Sequence, residues 1–146
     1  MASRVSGLTG KSKANPILGY SDTETVKLDF DDASFRIARY WAERTSRWFR
    51  LRGFIILKSS KNHYHVVFDR VVAWAQNVRI VAWVALLSHN KGLARWLPMQ
   101  CIKGCSTLRV SSKREKLPPR IVCRHGKLDR NVENFLKYRK MIKKNS

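Results

Sequence analysis

Apolar and polar positions alternate with a period of two at two places in the chain. Val26, Leu28 and Phe30 alternate with Lys27, Asp29 and Asp31, so a strand here buries the first set and turns both aspartates to its other face. Further on, His63, His65 and Val67 share one face and Tyr64, Val66 and Phe68 the other. That pattern predicts the second strand of a hairpin, whose first strand is the apolar run 54–57 and whose turn is residues 59–62. A helical period lies between them. Ala38, Trp41, Ala42, Thr45, Trp48 and Phe49 fall on one face and Arg36, Glu43, Arg47 and Arg50 on the other, predicting a helix from about Ala33 to Arg50. Asp31 or Asp32 is placed to cap its first turn, Glu43 and Arg47 form an i,i+4 pair, and Gly53 ends the connection.

Residues 70–87 are apolar nearly all round, interrupted only by Gln76, Asn77 and Arg79, and read as one or two buried helices. Residues 90–96 read as a connection and a short helix. Leu117, Pro118 and Pro119 form a loop before a strand over 120–123. A C-terminal helix over 132–140 packs Phe135 and Tyr138 onto the sheet. One domain, residues 21–139, has enough apolar content for a proper core: 44% of the chain is hydrophobic, with five tryptophans. Residues 1–20 are rich in Ser, Gly and Lys, close on Asn15-Pro16 and show no period, so they read as a flexible basic arm. Residues 140–146 read as a basic tail. The longest apolar run, 80–87, is far short of the ~20 residues a membrane helix needs, and no apolar leader opens the chain. A soluble, cytoplasmic protein without a membrane partner is the expectation.

Thirty Lys and Arg against ten Asp and Glu give a net charge of +20 and a pI near 10.7. Nucleic acid is the default partner of such a chain. The distribution says more than the total. Residues 21–32 hold five acids and one lysine, whereas residues 33–146 hold 26 bases and five acids. A polyanion binder gains nothing from clustered acids, but an enzyme that holds a cation against a phosphate needs both signs. The plain alternative is that acids near a turn only cap a helix.

Asp29-Phe-Asp31 on a first strand, a helix of about five turns, an apolar strand, and Ser59-Ser-Lys-Asn-His-Tyr-His65-Val together resemble the catalytic core of the archaeo-eukaryotic primase superfamily. The small replication primases of plasmids and viruses are the most similar branch. The resemblance spans roughly residues 22–122 and implies an α/β fold, a two-layer sandwich with a mixed or antiparallel sheet and an RRM-like primase core. It implies that Asp29 and Asp31 hold Mg²⁺ or Mn²⁺, that His65 is catalytic, and that Ser59, Ser60 and Lys61 contact a nucleotide triphosphate. Ser106-Thr-Leu-Arg-Val-Ser-Ser-Lys113 is similar to the arginine-bearing strand that follows the active site in that family, so Arg109 and Lys113 would neutralise phosphates. The implied activity is nucleotidyl transfer on a single-stranded DNA template, with a replicative helicase as an implied partner.

One departure stands out. The family completes its metal site with a third carboxylate, yet no Asp or Glu occurs between Asp69 and Glu115, and residues 88–92 offer His89 and Asn90 instead. Either Asp32 or Asp69 substitutes, or the chain is a degenerate member that binds nucleic acid without polymerising. Two other classes compete. His63-Tyr-His65 matches the histidine pair of single-strand nicking enzymes, for which Tyr138 would be the nucleophile. A nonenzymatic binder would stack bases on some of the fifteen aromatic residues, although Trp41, Trp48, Trp74 and Trp83 recur at core spacing. Three cysteines without a leader argue against a disulfide framework. Cys101, Cys105, Cys123 and His125 form two close pairs at zinc-like spacing, against which stands the commoner fate of cysteine as a buried thiol.

Overall fold

The computed structural model describes residues 2–6 and 16–144. In chain order the elements are β1 (Ala2–Ser6), β2 (Ile17–Asp22), β3 (Thr25–Phe30), α1 (Phe35–Phe49), β4 (Gly53–Ser60) and β5 (His63–Val71), followed by α2 (Trp74–Ser88), α3 (Lys91–Lys103), β6 (Ser106–Arg109), β7 (Arg120–Gly126) and α4 (Asn131–Lys144). A four-stranded sheet runs in the order β3-β5-β4-β7 and a three-stranded one in the order β1-β2-β6, and every pairing is antiparallel. β5 lies between β3 and β4, so the β3-α1-β4-β5 run is a split β-α-β unit.

The two-residue period decides which core each side chain joins. Val26, Leu28 and Phe30 of β3, Phe54 and Ile56 of β4, and Val66 and Phe68 of β5 are fully buried on one sheet face, against Ala38 and Ala42 of α1 and Ile80, Val81 and Val84 of α2. Ile55, Leu57 and Val67 point the other way and bury Tyr20 of β2, Leu108 of β6, and Val132, Phe135 and Tyr138 of α4. The fold is α/β with antiparallel sheets. A helical layer on a sheet layer is the two-layer arrangement expected, and the small sheet and α4 are added on the sheet's second face. Trp96 of α3 packs against both cores.

The structure departs from the sequence expectation at several boundaries. α1 is capped by Ser34, whose side chain accepts a hydrogen bond from Ile37 N, rather than by Asp31 or Asp32. It ends at Arg50 in the left-handed region (φ 54°). Gly53 instead starts β4, where a Cβ would lie 2.3 Å from Lys127 O, so only glycine lets β7 approach this closely. Trp48 is 69% exposed, stacked on Trp83 rather than enclosed. α3 is about two turns longer than expected and contains Pro98. Residues of the expected N-terminal arm lie in β1 and β2, while residues 7–15 fall outside the described residues. Lys140 to Lys144 of the expected tail continue α4. Among the described residues no helix is long and apolar enough to cross a membrane. Because Ser34 provides the side-chain acceptor for the first turn of α1, Ser34→Ala is expected to cost about 1 kcal/mol in urea unfolding.

Candidate active site

Antiparallel pairing of β3 with β5 sets Asp29 directly opposite His65, and Leu57 of β4 flanks His65 on its other side. Leu28, Phe30, Tyr64 and Val66 fill the helix-side core, so alternation sends Asp29, Asp31, His63 and His65 together to the second face. His65 Nε2 lies 3.4 Å from Asp29 Oδ1, and His63 Nδ1 is bonded to Asp31 Oδ1. Two aspartate-histidine pairs thus stand side by side, two residues apart along the strands. Exposure grades outward: the His65 and Asp29 side chains are 8% and 30% exposed, those of His63 and Asp31 37% and 43%. The inner pair is shielded, where electrostatic interactions are stronger, and the outer pair meets water.

Arg109 closes the inner side. Its Nη1 donates to Ser111 O and to Leu117 O (3.1 Å), and its Nη2 donates to Ser59 O at 3.4 Å. Burial pushes the guanidinium below its usual range while the Asp29 carboxylate pulls it back up. A guanidinium stays charged throughout, so Arg109 is a fixed cation beside Asp29 that also ties the end of β4 to the loop after β6. Of its five N–H donors, these carbonyls use only part.

Ser59 and Ser60 belong to β4 rather than to a turn, which shrinks to Lys61 and Asn62 (φ 60°). Ser59 Oγ donates to His63 O (3.2 Å), and Ser60 pairs with His63 across the hairpin. The structure therefore gathers Asp29, Asp31, His65, Ser59, Ser60 and Arg109 at one end of the sheet. Lys61 is exposed at the hairpin tip, and Lys113 is exposed in a turn whose backbone pairs with Lys116.

Residues 88–92, which stand where the family's third acid would lie, do reach this site, but Asn90 uses its side chain on backbone. It donates to Asp31 O (2.7 Å) and accepts from Asp31 N (3.3 Å) and from Leu93 N (2.9 Å), which caps α3 and fastens it to the end of β3. Arg95, one turn on, has Nη2 4.0 Å from Asp31 Oδ2. Sequence reasoning passed over Arg95 and this clasp; the Asn-x-x-Leu capping pattern was the available signal. Asp69 does not substitute for the missing acid. It is fully buried, accepts from Arg52 Nε (3.0 Å), and caps α4 through Arg130 N (2.9 Å) and Val132 N (3.1 Å). Asp32 is exposed and lines the outer cleft with Asp31 and His63.

Gly92, in the first turn of α3, sits so close that a Cβ would lie 2.1 Å from Asp31 Cβ and 2.8 Å from its Oδ2. Alanine favours a helix over glycine by up to ~1 kcal/mol, but here it must push Asp31 or α3 aside. Gly92→Ala is therefore expected to destabilise by about 1–3 kcal/mol in urea unfolding, the range for overpacking, despite its better helix propensity. An unchanged or raised midpoint would show that α3 and Asp31 can separate at no cost.

Other candidate residues are not brought into the site. Tyr138 is buried against Tyr20, ring centres 5.4 Å apart, and its hydroxyl donates to Gly19 O; a nicking nucleophile needs an accessible hydroxyl. Cys105 is an electrostatic neighbour of Lys27 on β3, at one edge of the large sheet, whereas Cys123 and His125 lie on β7 at the other edge. Three inter-strand steps, roughly 14 Å, separate those edges, so the four zinc candidates do not converge. His125 stacks on Phe54 at 4.9 Å, and His89 ends α2. Among the described residues no group of three or more His, Cys, Asp or Glu is arranged to hold a metal. No protein-family model, no curated protein and no solved structure matches the chain.

Proposed function

We propose that this chain is a nucleic-acid-binding protein that performs metal-dependent nucleotidyl transfer on a single-stranded template, as a minimal primase-polymerase with an RRM-like core. The observation that carries this reading is the convergence of Asp29, Asp31, His65 and Arg109 at one sheet end of a chain with net charge +20. The split β-α-β unit that positions them supports the resemblance to archaeo-eukaryotic primases.

Mg²⁺ commonly takes one or two protein carboxylates and completes its shell with substrate phosphates and water. Asp29 and Asp31 fit that habit, for an ion that arrives with a nucleotide rather than one held in an all-protein cage. Bound there, Mg²⁺ or Mn²⁺ supplies neutralisation of the charge on the attacking and leaving oxygens. The chain's own residues do the positioning. His65 holds Asp29, and His63 with the Asn90 clasp holds Asp31, as the partners of metal-binding carboxylates do. Arg109 presents a fixed positive charge to the inner end of a triphosphate. Arg95, 72% exposed, meets phosphates at the mouth.

One observation favours a second reading, a binding module without turnover: Asn90 is committed to the backbone of Asp31 and Asp69 to Arg52 and the first turn of α4, which leaves only the exposed Asp32 as a further acid beside Asp31. The test is incorporation of labelled nucleotides on primed and unprimed single-stranded DNA, in Mg²⁺ and then Mn²⁺. Metal-dependent extension is the expected result. Its absence, with salt-sensitive DNA binding retained, would replace the first reading by the second.

A further inference from the structure

Beside the Asp29 site, positive charge is gathered in one cleft. Lys58 of β4 and Arg120 of β7 are direct cross-strand partners, a placement in which like charges repel. Arg139 of α4 faces the same cleft as Lys58, Arg120 and Lys116, and Lys143, one turn on, lines it too. Glu115 is the sole acid on its walls. Among the described residues no carboxylate lies within ion-pair distance of Lys58, Lys116, Arg120 or Arg139. Arg139 donates to Pro119 O at 3.1 Å, and burial together with the neighbouring Arg124 pushes its guanidinium below the usual range. A fold gains nothing internally from such a gathering; a polyanion offsets the repulsion.

We propose that this cleft, between the β4-β7 strand ends and α4, is a groove for the backbone of single-stranded nucleic acid. Two features define the ligand and its path. Leu117, 79% exposed, and Pro118 place apolar surface among the cations; the bases of a single strand can lie on such surface, whereas a duplex keeps its bases inside. Ser59 and Leu117, both on the cleft wall, accept hydrogen bonds from Arg109, whose charge acts on Asp29. One strut therefore joins groove and site, and a strand in the groove is led toward Asp29. Only that destination rests on the proposed polymerase reading; binding in the groove stands apart from it.

The test measures binding of a short labelled oligodeoxythymidine over a salt series, with the full chain and the double variant Lys58→Gln/Arg120→Gln. Affinity is expected to fall roughly tenfold, and the slope of log affinity against log salt to become shallower by about 1.4, at ~0.7 for each lost phosphate contact. The unfolding midpoint stays level or rises, because cross-strand repulsion is removed. Arg36→Gln/Arg47→Gln on α1 makes the same charge change elsewhere. An unchanged slope in the groove variant, an equal loss in the α1 variant, or tighter binding of a duplex would each overturn the proposal. Extension by the wild type with the groove slope unchanged rejects the groove and keeps the polymerase reading. A shallower groove slope without extension does the reverse.

Discussion

On the reading proposed above, replacing Asp29 and Asp31 together by alanine is expected to abolish nucleotide incorporation and to leave single-stranded DNA binding level or tighter. The two halves of this expected result have different causes. Without the carboxylates no ion would be held against a triphosphate, and the neutralisation such an ion provides is worth several kcal/mol; a thousandfold loss of rate corresponds to about 4 kcal/mol. Binding would depend on the cations instead, and removing two negative charges from a strongly basic surface strengthens attraction to a phosphate backbone. Arg109, relieved of Asp29, becomes a stronger anion contact. The variant should fold, because both side chains are partly exposed and the buried residues of β3 are untouched. Extension and fluorescence anisotropy at matched salt measure both halves. Weaker DNA binding by the variant would count against the assignment, since it would make the aspartates part of the binding surface rather than of a metal site.

Local pattern made the site legible where it alone decides structure. The alternation in β3 and β5 placed Asp29, Asp31, His63 and His65 on one face, and strand pairing then brought them together. α1 was legible from apolar spacing and α2 from its nearly continuous apolar run, and Phe135 and Tyr138 do pack α4 onto the sheet. What stayed hidden depends on partners distant in sequence. β2 carries only Ile17, Leu18 and Tyr20 as apolar residues and is a strand because β6 and α4 cover it. Asp69 looked available as an acid until Arg52 and the first turn of α4, some sixty residues later, enclosed it. Asn90 was noticed for what it is not, a carboxylate, whereas its function is to fasten α3 to the end of β3. α3 runs through Pro98 to Lys103, beyond the short helix expected over 90–96. The acidic stretch 21–32 is one cluster in the sequence, but the fold divides it between a site and a structural pair.

That pair supplies the second large effect. Lys27→Met should cost about 3–5 kcal/mol, the range for removing one partner of a buried ion pair, and should reverse the pH dependence that Asp22 contributes. Lys27 is fully buried although it shares a strand face with Asp29; its Nζ donates to Asp22 Oδ1 (2.7 Å), Ser106 Oγ (2.8 Å) and Ser106 O (3.0 Å), joining β3 to β6 across the two sheets. Burial lowers the Lys27 ammonium and by itself raises the Asp22 carboxyl, but the Lys27 charge and the bonds from Lys27 and Thr25 win at Asp22 and hold it below the usual carboxylate range. A depressed folded-state value means that Asp22 contributes stability above its unfolded pKa, and that this contribution is lost as pH falls through the folded one. Without Lys27, burial dominates and the carboxyl titrates above its unfolded value. Its contribution is then complete below that value and lost as pH rises toward neutrality. Urea unfolding from acid to neutral pH should therefore show the wild type gaining on the variant as pH rises through the carboxylate range. Adding Asp22→Asn to Lys27→Met should restore part of the loss and flatten the variant's slope, because no charge remains buried without its partner. A variant whose stability tracks the wild type in parallel across that range would mean that Lys27 does not set the ionisation of Asp22.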